Sequence, residues 1–321
     1  MAFADKGRAT IAAVTITKNE ERNIAACLDS LKWVDELIVV DAESVDCTVE
    51  LAKAHTSKVS VRHWSGYGPQ KNFAMEQATA DWVVIVDADE RVTDALREEI
   101  LALLKVPGPA VAYRIPRRNF YYGCWIQGAG QYPDRQLRLV RRGRGRYNDL
   151  PVHEHLEVDG SVGELTGHLD HHTHPTVVSH ELKIERYSTL AADERIKSGK
   201  PDAAWYHLLF NPVWTFMKFY LVRGGYRDGL PGFIVSGFSA AHVLLKYASR
   251  LAEVDAQMPS RLTPDKLADI VNSIPDSWLA DDAGFAGKDA QREAYLDYFT
   301  RRLQSAAVFV QEAIRARSAH L

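Results

Sequence analysis

A chain of 321 residues, 46% hydrophobic and 25% charged, has apolar material enough for one large domain or about two. The net charge of −3, from 39 basic and 42 acidic residues, implies no general attraction to nucleic acid. The three scattered cysteines, Cys27, Cys47 and Cys124, argue against a disulfide framework or a cysteine-based zinc site. Met1 to Thr10 carries no apolar signal-peptide core, so a cytoplasmic location is expected.

The first 105 residues alternate strand and helix signals. Ala9 to Thr17 is β-rich, and Asn19 to Leu31 follows with helical spacing at Ile24, Cys27, Leu28 and Leu31. Glu36 to Ala42 reads as a second strand ending in Asp41, with Ser44 or Asp46 available to cap the next helix. Val59 to Trp64 is a third strand. Gly66-Tyr67-Gly68-Pro69 is a loop signal, with Pro69 suited to open the helix that runs to Ala80. Trp82 to Val86 is apolar without alternation, as in a buried parallel strand, and runs into Asp87-Ala88-Asp89-Glu90. Thr93 is placed to cap a helix through Lys105. Repeated βα units with short links predict a right-handed parallel sheet. From 110 to about 175 short β-like pieces predict a mixed sheet completing the same domain. Residues 176–250 read as helical and aromatic, and 251–321 as a polar helical extension of unassigned role.

The chemistry concentrates in a few places. Strand side chains alternate, so Asp87 and Asp89 are expected to point one way from the carboxyl end of their strand, where open α/β sheets bind ligands. Two carboxylates there can hold a hard divalent cation, which can neutralise a diphosphate; equally, acids suit a helix N-terminus. Thr17 and Glu20 follow the first strand, where Asn19 can instead be a plain helix cap. Lys71 stands at a helix start behind the glycine-rich loop. Six arginines fall in 134–146, where Arg135 and Arg138 take opposite strand faces and Leu137 and Leu139 pack inward. Such arginines can hold a diphosphate or an anionic acceptor. In Pro151-Val152-His153-Glu154-His155, Glu154 is a candidate general base, with His153 either orienting it or acting as the base itself. The histidines that follow, from His168 to His180, leave open a metal-dependent hydrolase, although no helical HExxH spacing exists. Trp205 to Arg223 interleaves aromatic and basic residues, as an interfacial membrane helix does, while a buried helical core or a dimer face gives the same pattern.

Taken in order, Thr15 to Glu21, Val39 to Ser44, Gln70 to Ala74, Asp87 to Val92, Tyr132 to Leu139 and Pro151 to Glu154 resemble glycosyltransferase family two. Within it they are most similar to the bacterial lipopolysaccharide-core β-glucosyltransferase group, over about residues 9–250. The resemblance implies an α/β GT-A fold, with a mostly parallel, helix-flanked sheet in residues 1–175; residues 176–250 are expected as a membrane-associating region, and the extension 251–321 departs from the group by running past its usual end. It implies that Thr17, Glu20, Asp41 and Lys71, with Asp87 and Arg138, line a site for a UDP-sugar. It further implies that Asp89, with Asp87, holds Mg²⁺ or Mn²⁺, and that Glu154 is the base, with Asp134 a second candidate. The reaction implied is inverting transfer of a hexose, glucose foremost, to a lipopolysaccharide-core or other lipid-linked saccharide at the inner face of the cytoplasmic membrane. The chain lacks the family's Gln-x-x-Arg-Trp motif, so processive synthesis is not implied. A catalytically silent membrane-bound module is the other reading kept open.

Overall fold

The computed structural model describes residues 7–148, 154–184, 205–261, 263–279 and 286–301. The chain divides into two compact units. One comprises residues 1–180 and 217–237; the other comprises 181–216 and 238–321. Residues 217–237 thus belong to the first unit.

The first unit is built on a mixed sheet. The strands β1 (Ile11–Thr17), β2 (Glu36–Asp41), β3 (Val59–Val61) and β4 (Trp82–Ile85) pair in the parallel order β3-β2-β1-β4. The sheet continues through β8 (Asp134–Arg141) and β6 (Ala112–Tyr121), each antiparallel to its predecessor, then β12 (Leu169–His174), parallel to β6. A short return strand, β5 (Glu90–Val92), closes that edge antiparallel to β12. The short strands β7 (Cys124–Trp125) and β11 (Val162–Glu164) pair with β6, and β9 (Gly145–Tyr147) and β10 (Leu156–Val158) form a separate hairpin-like sheet. The expected βα alternation is present, with the helices α1 (Ile24–Asp29), α2 (Thr48–Lys53), α3 (Tyr67–Glu76) and α4 (Asp94–Lys105).

Alternation along the buried strands divides the core into two layers. Ile11, Ala13, Trp82 and Val84 face α1 and the Leu96-Ile100-Leu104 stripe of α4. Ala12, Val14, Val83 and Ile85 face Ala74 and Met75 of α3. Thr93 caps α4 by accepting from the Leu96 amide, as expected. Other boundaries differ. The helix expected from Asn19 begins only at Ile24, because Asn19 takes a φ of 54° and its Oδ1 accepts from the Val45 amide. The third strand stops at Val61, short of Trp64.

The C-terminal part is helical, as expected: 177–184 (α5), α6 (Trp205–Met217), α7 (Gly229–Arg261) and α8 (Pro264–Asn272). A π-helical turn at Lys218–Val222 and a 3₁₀ turn at Gly225–Asp228 precede α7. Asp228 fixes this link to the body of the first unit by accepting from the amides of Gln127 and Gly128. Gly225–Ala248 is long and apolar enough to cross a membrane, by length and composition only.

Ile100 is fully buried beneath the sheet. Ile100→Ala should therefore lower the unfolding free energy by about 2–5 kcal/mol. Urea denaturation would read this as a lower midpoint at unchanged slope. Glu98→Ala, on the exposed face of the same helix, should stay within about 0.5 kcal/mol.

Candidate active site

Beyond the carboxyl end of β4 lies a cavity of about 300 Å³, lined by Lys71, Asp87, Arg114, Arg117, Gln136, Leu137, Arg138, Tyr147, Glu154, His155 and Leu156. Its floor is a chain of ion pairs. Glu90, fully buried, accepts from Arg117 at 3.1 Å and Arg138 at 2.9 Å. Arg138 also pairs with Asp87, which lies 3.4 Å from Lys71 Nζ, and Lys71 reaches Glu154 Oε1 at 3.3 Å. At the other end Arg117 donates to Asp134 at 2.6 Å.

Local backbone irregularities aim these groups. β8 pairs Leu139 with Tyr113 but Leu137 with Arg114, so Arg138 is the extra residue of a bulge. A bulge bends its strand and re-aims a side chain. Leu137 and Leu139, expected on one face, consequently fall into the two opposite core layers, and Arg138 turns inward to burial. A second departure concerns Asp87 and Asp89. The strand ends at Ile85, so strand alternation does not govern the pair. They sit in a turn closed by the Glu90 amide donating to the Asp87 carbonyl, while the Asp87 amide donates to Glu90 Oε2. The two carboxylates part: Asp87 enters the cavity, while Asp89 lies 3.3 Å from His171 Nε2.

The electrostatics follow. Burial pushes the Asp87 carboxyl up, but the charges of Arg138 and Lys71 outweigh it and hold it well below the usual carboxylate range. Burial likewise depresses the Lys71 and Arg138 cations, and in each case Asp87 reverses the shift. Asp134 is lowered against its own burial by Arg117 and by hydrogen bonds from Gln136, Arg117 and Asn119. With two cations on its carboxylate, Asp87 does not fit as a metal ligand. Asp89 does. Asn119 Nδ2 donates to Gln131 and Asp134, so its Oδ1 accepts from His171 Nδ1–H, the assignment the hydrogen-bond network requires. In the neutral ring, Nε2 then turns its lone pair toward the Asp89 carboxylate, an arrangement suited to a cation between them. Asp89 and His171 would hold such a cation with two protein ligands.

The other expected residues are placed as follows. Thr17 and Asp41 are neighbours across β1 and β2, both buried. Thr17 Oγ1 has no partner among the described residues, whereas Asp41 is engaged by the amide and hydroxyl of Ser44, at 2.8 and 2.5 Å. Glu20 accepts from Asn23 at 2.8 Å. His153 lies outside the described residues. The later histidines disperse: His168 meets Tyr132, His172 stacks on Phe120 and His174 stacks on His180. Among the described residues no group of three or more His, Cys, Asp or Glu is arranged to hold a metal. Sequence reasoning gave no role to Glu90 or Arg117, and met His171 only as one of several histidines with a conceivable metal role. Glu90 stands directly after the Asp-x-Asp pair, but its burial depends on the three-residue β5, which carries no periodic signal.

The profile of Glycosyl transferase family 2 matches residues 12–148. The chain is 37% identical to the lipopolysaccharide core biosynthesis glycosyltransferase LpsC of Rhizobium meliloti over 246 residues, 74% of this chain and 90% of that one. It is 29% identical to an uncharacterized glycosyltransferase of Rickettsia typhi, over 79% of this chain and 91% of that one. The chain belongs to glycosyltransferase family 2, and it is a glycosyltransferase with the family's α/β fold. Among solved structures, glucosyl-3-phosphoglycerate synthase from Mycobacterium tuberculosis with Mg²⁺ and uridine diphosphate is similar at 19% identity and a TM-score of 0.38, over 62% of this chain and 83% of that one. That similarity is too slight to bear on what this chain binds.

Removing one partner of a buried pair strands the others. Glu90→Ala, which leaves Arg117 and Arg138 short of an anion, should cost about 3–5 kcal/mol in chemical denaturation. The lowered Asp87 and Asp134 also set a pH dependence. Their contribution is fully present above the unfolded carboxylate value of about 3.9 and is lost as pH falls through the depressed folded values. Melting temperature should accordingly hold from pH 7 to 5 and fall below about pH 4.

Proposed function

We propose that the chain is an inverting transferase that moves a hexose, glucose foremost, from a UDP-sugar to a lipopolysaccharide-core or other lipid-linked saccharide. The donor lies along the carboxyl edge of β1, β2 and β4, by Thr17, Glu20, Asp41, Lys71 and Asp87. The kinship with LpsC supports the acceptor class. The observation that carries the reading is the state of Glu154. It stands in the cavity with Lys71 on Oε1, and among the described residues Oε2 has no protein partner. Asp134 has no such freedom, since Arg117, Asn119 and Gln136 all donate to it.

Glu154 takes the proton of an acceptor hydroxyl, whose oxygen attacks the anomeric carbon from the face opposite the diphosphate. The bond from that carbon to the diphosphate oxygen breaks, and its electron pair leaves with the diphosphate. One displacement gives one inversion. Lys71 holds Glu154 in place, and Arg138 fixes Asp87, so neither carboxylate has to reorganise during transfer. Asp89 and His171 would hold a divalent cation, Mg²⁺ or Mn²⁺, which supplies positive charge to the leaving diphosphate.

A membrane-proximal acceptor agrees with one surface of the first unit. Leu221, Val222, Tyr226, Leu230 and Phe233 are exposed there beside Lys218, Arg223 and Arg227. Apolar and basic groups together suit the interface of an anionic bilayer.

Calorimetry of UDP with and without Mn²⁺ tests the donor reading. Binding should require the metal and should weaken by about tenfold or more in Asp89→Ala. Absence of UDP binding under every metal condition would overturn it. Glu154→Gln should bind UDP normally, yet lose about 10²–10⁴-fold in transfer from radiolabelled UDP-glucose to truncated lipopolysaccharide. Near wild-type transfer would return the base to Asp134 or His153. Sedimentation with vesicles of anionic phospholipid should pull down the wild type and leave a Leu221→Glu, Val222→Glu variant in solution.

A further inference from the structure

The cations of the cavity are matched one by one, with a single exception among the described residues. Lys71 is shared by Asp87 and Glu154, Arg117 by Glu90 and Asp134, and Arg138 by Asp87 and Glu90. Arg114, on β6, lines the same cavity, and its exposed guanidinium makes no hydrogen bond or ion pair with any described residue. Its register partners on the two sides of β6 are Leu137, the last residue before the bulge, which offers no charge, and Glu164 of β11, whose carboxylate is paired with Arg135.

We propose that Arg114 is the recognition point for an anionic group, a phosphate or a carboxylate, carried by the acceptor saccharide. This rests on the assignment of Glu154 as the base, and it adds the charge of the acceptor to that reading. The cavity holds Glu154 and Arg114 together but does not include Asp89. Lys71 and Asp87, on the donor's edge, reach into the same cavity, so donor and acceptor meet there at Glu154; Arg114, which holds neither of those groups, is left for the acceptor, and the cation belongs with Asp89. A neutral saccharide covering Arg114 would take a cation from water without an anion to meet it, which is costly. A guanidinium instead accepts phosphate or carboxylate through two parallel N–H donors, a match of shape as well as charge.

The test uses the full-length chain saturated with UDP and Mn²⁺ and titrates three sugars by calorimetry: glucose, glucose 6-phosphate and glucuronate. Either or both charged sugars should bind about tenfold or more tightly than glucose, the size of one charge-assisted contact. Whichever of the two does so tells phosphate from carboxylate. Arg114→Gln should abolish that preference with UDP affinity and melting temperature unchanged, and Arg114→Lys should retain part of it. Equal binding of all three sugars would overturn the proposal. So would an Arg114→Gln variant that weakens UDP and spares the charged sugars, because Arg114 would then serve the donor. In both cases UDP binding persists and the transferase reading stands. Loss of metal-dependent UDP binding by the wild type would bring down both.

Discussion

The structure around the cavity depends on one buried carboxylate. Glu90 has no exposure to solvent, and it answers two guanidiniums that arrive from different strands, Arg117 from β6 and Arg138 from β8. Moving a charge out of water is costly unless it is paired and hydrogen-bonded. The geometry that meets this demand is restrictive: the exit of β4, the start of β5 and the middle of two long strands must all stand at fixed separations. Lys71 extends the chain of pairs to α3 and to Glu154, so the catalytic candidate is held by the same network that joins the halves of the sheet. An apolar replacement could be as stable, but it would not orient Asp87 and Glu154.

The same network sorts the charges of the site. Four basic residues line the cavity, yet three of them are already answered by carboxylates of the protein. Composition alone would suggest a strongly positive pocket. The pairing shows a nearly neutral floor with two groups left over, one anionic oxygen of Glu154 and one guanidinium of Arg114. A site of that kind has little general pull on anions. It can separate ligands by where a charge lies, which suits a transferase that must take one hydroxyl of a saccharide bearing many.

Much of the fold was legible in the sequence because its signals are local. The apolar runs of β1, β2 and β4 are buried on both faces and read as such, and Thr93 caps α4 where its position before the helical pattern indicates. What could not be read was set by contacts between distant segments. The bulge at Arg138 exists only relative to β6, and it is the bulge that sends Leu137 and Leu139 to different layers. The burial of Glu90 arises from pairing with β12, nearly eighty residues on. His171 was visible as one histidine among several, and only the amide of Asn119, fixed by its own two donations, selects its tautomer.

The aspartate pair takes a geometry that strand alternation does not predict. Strand alternation would have aimed Asp87 and Asp89 together, making them joint ligands of one cation. The chain leaves the strand at Ile85, and Glu90 closes the following turn from both sides, by its amide and by its carboxylate. Within such a turn a one-residue spacing separates side chains instead of aligning them. Asp87 becomes a structural anion, committed to Arg138 and Lys71, and Asp89 is released toward His171. The division has a chemical use. In the proposed reaction, two carboxylates on one cation would lower its charge toward zero, whereas one carboxylate and one neutral imidazole would leave it net positive. Glu90 thus fixes the turn and the turn divides the aspartates, a division that in the proposed reaction would keep the charge the leaving group needs.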